Sequence, residues 1–327
     1  MTESTWEVTE PGKLTFDEPV TALPAVTALR VRVVSGTVNV VGTDEGPARL
    51  EVSRLQGPPL IVTRKDGALG VTHGELPWKE WTKLLDRAEW RREATVTLTV
   101  PSSWAVEIHA VGAGVVVSGI RGRTSVRSVS GDATLMGLSG EVSAETVSGN
   151  VEAQSVTGGL RCHSVSGDLT VMEGGVGSRV RAESLTGDML IDLAADGAPG
   201  APADIRLTTV SGEVAVRLPH PADARVEANT ASGSLSNAFD SLKVSGTWGS
   251  KRLTGRLGAG TGTLRATTVS GSIALLRRPP AEDPGTPGPS DDAPGPAPAP
   301  DGDSPDTPGT AGPAGPADPA GPSGKVL

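Results

Sequence analysis

Residues 129–173 read VSGDATLMG, LSGEVSAET, VSGNVEAQS, VTGGLRCHS and VSGDLTVME, five blocks of nine that begin at Val129, Leu138, Val147, Val156 and Val165. Each block runs apolar, Ser/Thr, Gly, polar or Gly, apolar, any, small or apolar, then two free positions. Looser copies at Val111 (VGAGVVVSG) and Ile120 (IRGRTSVRS) extend the series to seven consecutive blocks, Val111–Glu173. Positions five and seven alternate with polar neighbours, which predicts one short, half-buried strand per block. The predicted inward pairs are Ala133/Leu135, Val142/Ala144, Val151/Ala153, Leu160/Cys162 and Leu169/Val171. Gly131, Gly140, Gly149, Gly158 and Gly167 stand just ahead of these strands, a placement that predicts turns with positive φ.

A longer period lies over the first. Ser128-Val-Ser-Gly-Asp132, Thr146-Val-Ser-Gly-Asn150 and Ser164-Val-Ser-Gly-Asp168 recur at a constant interval of two blocks, and the intervening blocks are less alike. Two strands per two-block coil, each stacked on its equivalent in the next coil, produce that alternation. The expected fold is therefore all-β, a parallel β-solenoid with about two short strands per coil. An antiparallel meander also spaces strands in this way but gives odd and even strands no reason to differ.

The motif continues at Ser184–Asp188, Thr209–Glu213, Thr230–Ser234 and Thr268–Ser272, at unequal intervals that are widest between the last two copies. The added length falls where turn-formers cluster, as in 195–203. An early copy, Val33–Val40, belongs to an N-terminal part (1–108) read as an irregular cap on the open end of the stack, where bare strands invite aggregation. Within it, Pro77–Arg92 places Trp78, Trp81, Leu85 and Ala88 on one face of a short helix. Residues 1–278 thus form the repeat domain. Residues 279–327 hold 15 Pro and no Leu, Ile, Phe or Trp before Leu327, so they are expected to be a disordered tail.

Charge narrows the function. The chain carries −9 overall, and residues 279–327 contain eight acids and one base. The body is close to neutral, which argues against nucleic acid as a partner. A single cysteine, Cys162, excludes an internal disulfide framework. The acidic start lacks the charge pattern of a signal peptide. The longest uncharged apolar stretch, Ala110–Ile120, falls well short of a transmembrane span. The expected location is cytoplasmic.

No motif assembles a reactive centre. Gly258-Ala-Gly-Thr-Gly262 has no following Lys or helical run and reads as a turn, not a phosphate loop. His73, His109, His163 and His220 lack ligand spacing. Asp132, Asn150 and Asp168 occupy one position on successive coils. They read as turn formers bonding nearby amides, with a catalytic or calcium-binding row as the sharper alternative. Cys162 reads as a small buried residue. No catalytic residue, cofactor or metal is predicted. The expected contact surface is the polar strand face that includes Thr134, Ser143, Glu152, Arg161 and Thr170. Trp78, Trp81 and Trp90 form a lid or a membrane-surface contact.

The V-S-G-D/E/N units from Val129 to Ala274, with the strand-proline lead-ins Val100-Pro101 and Leu218-Pro219, resemble a bacterial β-repeat family of unknown function. That family is called "putative adhesin", or Toastrack. The resemblance spans roughly residues 25–278. It implies a strand stack without catalytic residues, used as an interaction module and associated with envelope stress at the cytoplasmic membrane. The expected function is a non-enzymatic interaction or assembly module with a protein partner or with itself. Alternatives are a polysaccharide-binding or polysaccharide-cleaving β-helix protein and a peripheral membrane-surface module.

Overall fold

A computed structural model of the chain describes residues 4–16, 26–73, 92–174, 179–193, 203–247 and 249–278. The chain divides into two units, Met1–Pro280 and Ala281–Leu327, and every described residue lies in the first. The expected disordered tail and most of the expected helix, residues 74–91, lie outside the described residues.

The described residues are all-β. The N-terminal strands are β1 (Ser4–Val8), β2 (Gly12–Phe16), β3 (Ala28–Thr43), β4 (Ala48–Gln56), β5 (Leu60–Lys65), β6 (Ala68–His73), β7 (Glu93–Pro101) and β8 (Ala105–Ser118). The nine-residue blocks supply β9 (Thr124–Ser128), β10 (Ala133–Met136), β11 (Val142–Thr146), β12 (Val151–Gln154), β13 (Gly159–Ser166) and β14 (Leu169–Gly174). After them come β15 (Arg179–Thr186), β16 (Met189–Leu193), β17 (Asp204–Ser211), β18 (Val214–Leu218) and β19 (Ala224–Ser232). The last are β20 (Leu235–Asn237), β21 (Leu242–Thr247), β22 (Ser250–Leu257), β23 (Gly262–Ser270) and β24 (Ile273–Arg277).

These strands make two ladders. In the first, parallel pairing runs β6–β3–β8–β9–β11–β13–β15–β17–β23–β19. In the second it runs β7–β3–β8–β10–β12–β14–β16–β18–β24–β20. The long strands β3 and β8 enter both ladders. Register follows the repeat: Ala144 lies opposite Val126 on one side and Cys162 on the other, each two blocks away in sequence. One strand from each ladder makes a rung.

The predicted inward pairs are all buried, and both ladders contribute to one apolar cluster. Apolar burial of this kind stabilises by roughly 25 cal/mol per Å². Antiparallel strands cover the ends. β5 and β1 extend the first ladder beyond β6, and β4 and β2 extend the second beyond β7. At the other end, β22 and then β21 pair antiparallel outside β19.

Two readings of the sequence need correction. The early motif Val33–Val40 lies in β3, which pairs with β8 through both of its halves, so the repeat stack begins well before residue 108. The rungs also depart from chain order, because β23 sits between β17 and β19. The wide interval between the last two motifs, Thr230–Ser234 and Thr268–Ser272, arises from this rearrangement: β21 and β22 turn back over β19 before β23 inserts beneath it.

Candidate functional site

The S/T-V-S-G-D corner joins the two ladders in each rung, and its chemistry divides by position. The leading hydroxyl residue points inward: Ser128, Thr146, Ser184, Thr209, Thr230 and Thr268 are buried. Ser128 Oγ accepts from Gly131 N at 3.0 Å, and Thr146 Oγ1 accepts from Gly149 N at 2.9 Å. The second hydroxyl reaches the preceding rung. Ser130, Ser148 and Ser166 donate to the carbonyls of Val111, Val129 and Val147 at 3.1, 3.2 and 3.3 Å.

The glycine is required for a reason other than the predicted positive φ. A β-carbon at Gly149 would fall on the carbonyl oxygen of Gly131, and one at Gly167 on that of Gly149. Gly140 and Gly158 meet Gly122 and Gly140 in the same way at the opposite corner. Close approach of stacked backbones, not a left-handed turn, excludes side chains at these sites.

The carboxylate row is a hydrogen-bond ladder. Asp132 Oδ1 accepts from Asn150 N at 2.8 Å, Asn150 Oδ1 from Asp168 N at 3.0 Å, and Asp168 Oδ1 from Asp188 N at 2.8 Å. Asp188 Oδ1 continues it to Glu213 N at 2.7 Å. The residues bond nearby amides as the turn reading expects, but the amides belong to the next rung.

The valine of the motif is exposed. Val111, Val129, Val147, Val165, Leu185, Val210 and Val269 are 44–53% accessible and form an apolar stripe along the corner. The equivalent residues of the intervening blocks, Ile120, Leu138 and Val156, are buried. This difference explains the double period of the sequence.

The surface expected from Thr134, Ser143, Glu152, Arg161 and Thr170 is two surfaces. Thr134, Glu152 and Thr170 are successive outward residues of the second ladder. Ser143 and Arg161 are neighbours in the first. Alternate nine-residue blocks belong to different ladders, so residues at equal block positions do not share one face. The second-ladder row continues through Leu190, Ala215 and Ala274 and is nearly uncharged. The first-ladder row runs Ser125, Ser143, Arg161, Arg181, Arg206, Arg265 and Glu227.

Asp223, His109 and His163 each have a polar partner. Asp223 caps the Gly258–Gly262 turn, with its Oδ1 accepting from Gly260 N and from Thr261 N at 3.0 Å and its Oδ2 from Thr261 Oγ1 at 2.8 Å. Hydrogen bonds from Thr261 hold that carboxyl below the ordinary aspartate range. Burial pushes the Cys162 thiol up to about 12, which suppresses the reactive thiolate. His163 is exposed and lies 3.5 Å from Glu183. His109 bonds Glu107 at 2.9 Å and holds that carboxyl below its usual value. His73 is buried, and desolvation lowers its pKa. Among the described residues no group of three or more His, Cys, Asp or Glu side chains forms a metal-ligand cluster. Trp78, Trp81 and Trp90 lie outside the described residues.

No family model and no curated protein matches the chain. Solved structures with similarity include a "putative cell adhesion protein" from Clostridium sporogenes, at 13% identity and TM-score 0.27, covering 82% of this chain and 100% of that one. A "putative lipid binding protein" from Parabacteroides distasonis shows 12% identity and TM-score 0.41, over 82% and 97% of the two chains. A "putative adhesin" from the same species shows 10% identity and TM-score 0.34, over 84% and 97%.

Proposed function

We propose that the two ladders wind as one flattened parallel β-solenoid, and that it acts as a non-enzymatic, adhesin-like interaction module. The observation that carries this reading is the register. Outward residues recur once per rung over many rungs, which builds long flat rows suited to many weak, equivalent contacts. The engagement of Asp132, Asn150 and Asp168 in the rung-to-rung ladder favours this role over polysaccharide cleavage by those groups.

The test is cross-linked capture from the native cell, with the full chain and a Thr134→Lys, Glu152→Lys, Thr170→Lys variant of matched thermal stability. A discrete protein or second copy captured by the parent and lost with the variant supports the reading. Identical capture profiles, or turnover of a substrate by the parent, overturn it.

A further inference from the structure

Four arginines from successive rungs stand in line on the outer face of the first ladder. Arg161 lies opposite Arg181, Arg181 opposite Arg206, and Arg206 opposite Arg265. Hydrogen-bonded strands lie ~4.8 Å apart, and like charges directly opposite one another destabilise a sheet. Nearby acids offset only part of this charge. Asp204 serves both Arg181, at 3.7 Å, and Arg206, at 3.6 Å, and Glu227 lies 3.7 Å from Arg265. All three separations exceed hydrogen-bond length. Glu141 is paired with Arg179 at 3.6 Å, Arg161 has no ion pair among the described residues, and the enclosed Arg181 Nε has no hydrogen-bond partner. The row continues into Ser143 and Ser125, which line an open cleft of about 390 Å³ with Arg123, Arg127, Arg161 and one carboxylate, Glu141; Arg127 is itself paired with Glu145 at 3.0 Å.

We propose that this row binds a linear acidic polysaccharide carrying one carboxylate per sugar. The polymer lies across the strands, alternate uronates meet alternate guanidinium groups, and ring hydroxyls meet Ser125 and Ser143. Guanidinium offers two parallel N–H donors to each carboxylate, and such charge-assisted pairs are the stronger hydrogen bonds. Two sugars of an extended chain span about two strand spacings, so carboxylates on one side of the polymer stay in step with every second rung. An acidic β-strand repeats its same-side carboxylates every ~6.6 Å and falls out of step. Single-stranded nucleic acid relies on aromatic stacking platforms, and the row from Ser125 to Glu227 contains no aromatic residue. The proposal deepens the interaction-module reading and rests on it.

Calorimetric titration of the full chain with a short polygalacturonate fragment tests it, with neutral dextran, inorganic polyphosphate and oligothymidylate as comparisons. Polygalacturonate should bind more tightly than all three. Replacing Arg161, Arg181, Arg206 and Arg265 by Gln should weaken it about tenfold or more. The same four changed to Lys should also weaken it, because the paired donors are lost. Changing Lys13, Arg49, Arg54 and Arg64 to Gln should leave affinity within about twofold. Arg161→Gln alone removes no ion pair and should weaken binding about threefold, which keeps the test valid if the fourfold variant misfolds. The proposal is overturned if polygalacturonate binds no better than dextran or the other polyanions. Full affinity in the Lys set, or equal loss in the control set, also overturns it. The capture experiment uses the second-ladder row, so either result can fail without the other.

Discussion

The two corners that link the ladders differ in their tolerance of length. Across the S/T-V-S-G-D corner, the step from an inward residue of the first ladder to its counterpart in the second is one block of nine in each rung. It runs from Val31 to Val40, Val126 to Leu135, Cys162 to Val171, Leu207 to Val216 and Ala266 to Leu275. Across the return corner the step is nine from Ala153 to Cys162, eleven from Val171 to Ala182 and sixteen from Ile191 to Leu207. The first corner is locked by glycine backbones in contact, buried hydroxyls and the carboxylate–amide ladder. Where those ties are fewer, the chain accepts insertions. Uneven motif spacing up to Thr209 therefore records one permissive corner, and the last wide interval the inserted rung, not decay of the repeat.

The strongest challenge to this comparison is steric. Gly149→Val drives a side chain into the Gly131 carbonyl and should cost about 3 kcal/mol or more, read as loss of the cooperative melt. Gly137 has φ of +59° and open space around its β-position. Gly137→Ala should therefore cost only about 1 kcal/mol in the same assay, from backbone strain alone. Next comes length. Two residues inserted between Val147 and Ser148 should abolish two-state urea unfolding, whereas the same pair after Gly174 should cost about 0.6 kcal/mol or less. Equal outcomes would end the distinction between the corners.

A smaller effect isolates the polar ladder. Asp168→Ala strips Asp188 N of its acceptor and should cost about 1 kcal/mol in urea titration. Asp168→Asn should be nearly neutral, since Asn150 already does this work one rung away. The smallest effect lies outside both corners. His73 has its pKa lowered by burial below the ordinary 6.5. As pH falls below that value, the unfolded chain takes up a proton that the folded chain resists, so stability declines until the lowered folded pKa is passed. His73→Leu should flatten the decline in melting temperature as pH falls below 6.5.

Period-two alternation made the inward residues legible, since Ala133/Leu135 through Leu169/Val171 needed no tertiary information. The all-β class followed from the same signal. The outer surface was less legible because a nine-residue block does not state which ladder it joins. That is why Thr134 and Arg161, at equal block positions, lie on different ladders. The arginine row is obscured for a related reason: unequal return loops separate Arg161, Arg181 and Arg206, and the inserted rung separates Arg206 from Arg265. Aligning the blocks on their inward residues instead of their glycines would have revealed it. The glycines themselves misled, because a turn and a close backbone approach leave the same mark.

The out-of-order rung at the C-terminal end bears on how the protein is made. β23 lies between β17 and β19 and β24 between β18 and β20, all four made earlier, so β19 and β20 have no parallel neighbour until residues 262–277 have been synthesised. Contacts of such sequence separation form late. Assembly therefore cannot proceed as simple layer-by-layer growth during translation: the final segment completes the end of the molecule like a keystone, and a chain cut short before it leaves β17, β18, β19 and β20 each short of one neighbour.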